Sequence, residues 1–273
     1  MKKKLSALLI LLLVSTVRAQ VIVAPTILFM SDQSRYGTFI VMNRSNTPQE
    51  ISVSFKFGFP ESDQQGNIRM QYDDSLMASK HSCEPWLKGF PQKFIINPGQ
   101  QQVVRLLVSA PSGIPDGEYW TRLITSSTPQ AKAIDTVSTG ITANITFVLQ
   151  QVTTVIYKKG YVNTTVDIPE IRTLPDSSSM NLLVQVSRGG NSPFFGKMSA
   201  VVKDRAGNIV YSGQEVLAVY PRSMVIKFAM PLSKLPSGRY TAIFTLDSER
   251  NDIPGDDLLR VPSINKTFTF SIE

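Results

Sequence analysis

From residue 21 onward the apolar residues of this chain recur with a period of two, and no stretch of ten or more residues carries convincing helical periodicity. Successive side chains of a strand point to opposite faces, so this spacing predicts strands with one buried side. In 50–59, EISVSFKFGF, it places Ile51, Val53, Phe55, Phe57 and Phe59 on one face. In 223–230 the buried candidates are Met224, Ile226, Phe228 and Met230. In 239–246 they are Tyr240, Ala242, Phe244 and Leu246, and in 266–272 Phe268, Phe270 and Ile272. Turn sequences separate the runs: Asn97-Pro98-Gly99, Pro115-Asp116-Gly117, Arg205-Ala206-Gly207-Asn208 and Pro236-Ser237-Gly238. Strands are expected at 21–30, 36–43, 49–59, 92–96, 101–109, 117–126 and 139–157. A second set is expected at 161–172, 180–187, 194–203, 208–213, 222–230, 239–247 and 264–272. Seven and seven short strands predict an all-β chain of two immunoglobulin-like β-sandwiches in tandem, each of roughly 100 residues. The boundary is placed at Lys158-Lys159-Gly160, giving domains 20–159 and 160–273.

The first 19 residues are a separate matter. Lys2, Lys3 and Lys4 precede an apolar run from Leu5 to Val14, and Val17-Arg18-Ala19 offers small residues at the cleavage positions. The run is too short to span a bilayer, so it reads as a secretory signal peptide, 1–19. Its loss removes four of the 28 basic residues and none of the 21 acidic ones. The mature chain is then only slightly basic, which gives no argument for nucleic acid as a partner. No later run is long enough for a membrane span. The single cysteine, Cys83, excludes an internal disulfide, and with a single histidine, His81, there is no metal or Cys/His catalytic set. No phosphate-binding G-x-x-x-x-G-K-[ST], no G-x-S-x-G and no H-E-x-x-H occurs. The expectation is a chain that is not an enzyme and needs no cofactor.

The longest extended segment is 139–160, TGITANITFVLQQVTTVIYKKG, with no Gly or Pro between Gly140 and Gly160. Ile141, Ala143, Ile145, Phe147 and Leu149 alternate along its first half. An apolar edge of this kind either packs inside its own sandwich or pairs with another chain. The alternation alone is compatible with both. The preceding stretch, 126–138, reads as a loop.

Several stretches occur together in one order. VIVAPTILFMSDQSRYGTFIVMNRSN opens the mature chain with a strand, a turn and a strand ending in Asn43. FIINPGQQQVVRLLV, IPDGEYWTRLIT and VIYKKG follow. The set resembles the first domain of PapD-like periplasmic pilus chaperones, most closely the archaic, Csu-type branch, over about 21–160. The resemblance implies two sandwiches set in an L, a periplasmic location, and pilus or fimbrial subunits as clients, with an outer-membrane usher as a further partner. It also implies that Ile141, Ala143, Ile145, Phe147 and Leu149 form a strand lent to a client subunit. Pilus chaperones fix the client's terminal carboxylate with two basic residues, but Ile27 and Thr154 stand at those positions here. Arg122 and Lys158 are the remaining candidate anchors. Arg105 and Glu118 resemble the family's pair that supports the hinge between domains.

Two other readings stay open on the residues alone. One is a secreted or surface Ig-like adhesive protein, which the N-x-[ST] matches at Asn43, Asn144, Asn163 and Asn265 would suit. The other is an enzyme, for which no motif speaks.

Overall fold

The computed structural model describes residues 21–130 and 147–273, so the expected signal peptide lies outside the described residues. Among the described residues, eleven strands precede Gly160. They are β1 (Val21–Ala24), β2 (Ile27–Ser31), β3 (Tyr36–Asn43), β4 (Gln49–Lys56), β5 (Phe59–Ser62), β6 (Ile68–Gln71), β7 (Leu87–Phe90), β8 (Lys93–Ile96), β9 (Gln101–Val108), β10 (Gly117–Pro129) and β11 (Leu149–Lys159). Seven follow: β12 (Thr164–Pro175), β13 (Ser179–Gly190), β14 (Phe194–Lys203), β15 (Ile209–Val219), β16 (Ser223–Pro231), β17 (Gly238–Asp247) and β18 (Ile264–Ile272). The first sandwich packs the sheet β1-β3-β9-β7 on the sheet β2-β11-β10-β4-β8. The second packs β12-β13-β16 on β15-β14-β17-β18. Among the described residues no sheet draws strands from both sandwiches. All seven strands expected in the second sandwich are present.

Each core is the inward half of the alternation. Leu182, Val184 and Val186 of β13 and Met224, Ile226, Phe228 and Met230 of β16 meet Met198, Ala200 and Val202 of β14 and Tyr240, Ala242, Phe244 and Leu246 of β17. Of the three residues expected at the end of the chain, Phe270 is buried while Phe268 and Ile272 are only partly covered, because β18 is an edge strand. In the first sandwich Phe39, Val41, Val104, Leu106 and Val108 face Ile51, Val53, Leu123, Val155 and Tyr157. Buried Asn43 ends β3, where its Nδ2 donates to the carbonyls of Thr47 (2.8 Å) and Ile96 (2.9 Å). Its Oδ1 accepts the Ser45 N–H at 2.9 Å. These bonds tie the β3–β4 turn to the end of β8.

Two expected strands are broken in the first sandwich. The stretch 21–30 forms two strands in different sheets. β1 pairs with β3, and after Pro25, which has no N–H to give to a ladder, β2 pairs in parallel with β11. The stretch 49–59 ends as a regular strand at Lys56. Ile51, Val53 and Phe55 stay with the first core, but Phe57 and Phe59 turn into a separate cluster between the sandwiches. Between β6 and β7 lies α1 (Ser75–His81), a helix of seven residues capped by the Asp74 carboxylate, which accepts the Met77 N–H at 2.8 Å. His81 and Cys83 share no site. His81 stacks on Trp120 at 4.8 Å between ring centres, while the Cys83 thiol is buried in the first core, where burial pushes its pKa far up.

Candidate functional site

The arrangement of β11 follows from where β2 begins. β10 accompanies β11 along its whole length, from Ser127 opposite Leu149 to Gly117 opposite Lys159. On its other side β2 runs beside Thr154–Lys158 only. The ladder there opens with the Thr154 N–H donating to the Thr26 carbonyl at 2.9 Å. Amides alternate in direction along a strand, so the N–H groups of Val152 and Gln150 point to that same side. Among the described residues no strand lies beside them, because at Pro25 the chain has left for the other sheet. The apolar residues at this end are open to solvent: Phe147 is 80% exposed, Leu149 42% and Val152 45%. Ile141, Ala143 and Ile145 lie outside the described residues. Leu149 has the parity of Thr153, Val155 and Tyr157, whose side chains are buried on the inner side of the sheet. The open edge therefore carries main-chain groups that no described strand pairs, and it continues the face of its own core.

The outer face of the same sheet forms the seam with the second sandwich. Cross-strand register sets Lys56, Arg122, Thr154 and Ile27 in one row. Both positions that lack the expected basic residue, Ile27 and Thr154, are thus direct neighbours, and Arg122 stands one strand further along. Arg122 is only 5% exposed. Its Nε donates to the Gly58 carbonyl at 2.9 Å, Nη1 donates to Thr154 Oγ1, and the guanidinium lies 4.8 Å above the Tyr220 ring. Nη2 is buried without a hydrogen-bond partner. Tyr220 belongs to the second sandwich, so that domain covers the cation. Around it, Phe57, Phe59, Trp120 and Ile156 from the part of the chain before Gly160 pack against Phe195, Tyr220, Ile253 and Leu258 of the second sandwich. Trp120 stacks on Phe57 at 5.7 Å and leans on Tyr220 at 5.0 Å.

The expected pair of Arg105 and Glu118 does not form. Arg105 is on β9, exposed on the outer side of the opposite sheet, while Glu118 is buried at the start of β10. The cation nearest to Glu118 is instead Lys158, its register partner on β11, with Nζ 3.9 Å from Oε1. Lys158 also donates to the Asp257 carbonyl of the second sandwich at 2.6 Å and lies 3.7 Å from the Asp257 carboxylate. It bridges the sandwiches and is engaged, whereas Arg122 keeps an unused donor. Burial pushes the Glu118 carboxyl up to about 7; Lys158 and Arg188 pull against this and Asp257 adds to it. Beside them Gly160 turns the chain with φ +56°, and a β-carbon there would collide with the Asp116 carboxylate. Asn191 of the second sandwich fastens the same corner, donating to the carbonyls of Asp116 (3.0 Å) and Tyr161 (2.9 Å).

No family model and no curated protein matches the chain. Among solved structures it is similar to a complex of the Salmonella enterica SafA pilin with the SafB chaperone, at 13% identity over 93% of this chain and 99% of that one, with a TM-score of 0.47. It is also similar to the Pseudomonas aeruginosa CupB2 chaperone, at 14% identity over 92% and 100% of the two chains, TM-score 0.46. A third is the CsuC–CsuE complex of the archaic Csu pili of Acinetobacter baumannii, described as a chaperone-tip adhesion subunit pre-assembly complex, at 12% identity over 90% and 98%, TM-score 0.45.

Proposed function

We propose that this chain is a periplasmic chaperone that holds pilus or fimbrial subunits by lending them a β-strand before their assembly at the outer membrane. The observation that carries this reading is the one-sided edge of β11 at Gln150–Val152, leading back into exposed Leu149 and Phe147. A client sandwich that lacks a strand would pair its main chain with this edge. Leu149, Phe147, Ile145, Ala143 and Ile141 would then fill its open core, one residue in two. Full burial of a large apolar side chain is worth roughly 1.5–3 kcal/mol, so the four large ones supply on the order of 6–12 kcal/mol before the cost of ordering them. An edge of this composition is otherwise an aggregation hazard, so retaining it makes sense where pairing is the task. The clients implied by the sequence resemblance are subunits with an incomplete fold, delivered to an outer-membrane usher. The amino-terminal signal would bring the chain to the periplasm.

Carboxylate anchoring in this reading rests on Arg122, since Lys158 is engaged with Glu118 and Asp257. A planar guanidinium with a spare N–H suits a carboxylate, and Tyr220 would have to leave it first. The hinge role given to Arg105 and Glu118 passes to Glu118, Lys158 and Asp257. Strand lending is tested with Ile145→Asp/Phe147→Asp in the periplasm of cells expressing pilus subunits. The variant is expected to stay folded and to lose co-purifying subunits. Undiminished capture would overturn the proposal. Arg122→Gln is expected to weaken capture of a subunit with a free terminal carboxylate more than one that is amidated.

A further inference from the structure

The hairpin of β5 and β6 is a two-stranded sheet of its own that belongs to neither sandwich. It leaves the seam at Phe59 and ends on the second sandwich. The Asp63 carboxylate closes its tip by accepting the N–H groups of Gln65 (2.9 Å) and Asn67 (2.8 Å) and the Asn67 side-chain amide (2.8 Å). Gly66, at φ +74°, lets the tip lie flat: a β-carbon there would stand 2.8 Å from Lys227 Cβ. Three polar contacts hold it. Ser62 Oγ accepts the Val225 N–H of β16 at 2.6 Å, Asn67 Oδ1 accepts from Lys227 Nζ at 2.7 Å, and Arg172 donates to the Gln64 carbonyl. The tip also covers Leu183. This residue has parity opposite to the core residues Leu182 and Val184 and therefore points outward, yet it is only 1% exposed.

Behind the hairpin the seam is apolar in composition but holds polar atoms that no other protein group hydrogen-bonds. Both Glu118 carboxyl oxygens, Trp120 Nε1 and Arg122 Nη2 are buried without hydrogen-bond partners. Such atoms favour any state in which water reaches them. The only stretch of backbone that joins the two sandwiches passes Gly160. We propose that the β5–β6 hairpin is a releasable clasp. Docked on β16 it holds the seam shut; released, it lets the second sandwich swing about Gly160, hydrating Trp120, Arg122 and Glu118. The polar contacts that hold the tip of the clasp are few and lie near the surface, so they are weak enough to let go. This inference does not depend on strand lending.

The test is Ser62→Ala/Asn67→Ala in a Trp86→Phe background, where Trp120 is the only tryptophan. Two hydrogen bonds to the second sandwich are lost, each worth roughly a factor of 2 to 10 in an equilibrium constant, so the open population is expected to rise about 4- to 100-fold. Acrylamide quenching of Trp120 should rise accordingly. Spin labels at Lys88→Cys and Arg239→Cys, one on each sandwich, should give a broader distance distribution, the buried Cys83 staying unlabelled. Near-ultraviolet circular dichroism should report both sandwiches folded. Unchanged quenching and an unchanged distance distribution would overturn the clasp. So would cooperative loss of both sandwiches, which would make the hairpin part of the folding core.

Discussion

Glu118 shows how much a single position depends on what surrounds it. Its folded pKa of about 7 lies above the ordinary 4.5, mainly through burial. Between those values the folded chain keeps a proton that the unfolded chain has lost. The stability from this group is therefore full below about pH 4.5 and is lost as pH rises through about 7. Glu118→Gln, neutral at every pH, is expected to flatten the fall of Tm across this window; an unaltered slope would place the titration elsewhere. At Asn43 the expectation is one of simple loss. Asn43→Ala strands the buried Ile96 carbonyl and frees the β3–β4 turn, costing about 1–3 kcal/mol in a urea titration. The sequence marks Glu118 and Arg122 as residues of interest but not their partners. Arg105 and Glu118 resemble the family's hinge pair, yet they sit in opposite sheets, and charge alone does not say which sheet a strand joins. Lys158 is the cation that reaches Glu118, because cross-strand register sets it opposite.

Among the elements, β11 has two regimes. Its second half is enclosed by β10 and β2, and among the described residues only β10 lies beside its first half. Phe147 is largely solvated and Leu149 partly so, and Phe147→Asp and Leu149→Asp are each expected to change stability by less than about 1 kcal/mol. A large loss of Tm in either would mean that this end packs at home. The second sandwich was legible strand by strand because each strand buries one face, and a period of two reports that directly. The breaks in the first sandwich were marked less loudly. Pro25 ends β1 and Gly58 interrupts the run of phenylalanines, but both lie inside patterns that otherwise continue with the same period. α1 escaped because seven residues are two turns of helix, too few for a periodicity to stand out. The hairpin β5–β6 escaped for a different reason: it packs on a surface 160 residues away in the chain, and nothing local encodes that.

At the scale of the molecule, two sandwiches meet at an aromatic seam that holds several polar atoms without a protein hydrogen-bond partner, while an open strand edge lies on the first sandwich. Alternation within strands showed two domains but not the seam, since Phe57, Phe59 and Trp120 are buried by residues of the other sandwich. The central claim is that the open edge of β11 is completed by another protein, and the direction of its amides makes this measurable. Gln150 and Val152 share the parity of Thr154 and point off the sheet, whereas Gln151 and Thr153 point toward β10. The decisive measurement is residue-resolved amide hydrogen exchange, with and without a pilus-type subunit lacking its last strand. Strand lending predicts that Gln150 and Val152 become strongly protected on subunit binding while Gln151 and Thr153 change little. A bound subunit that leaves Gln150 and Val152 exchanging as fast as before would contradict it.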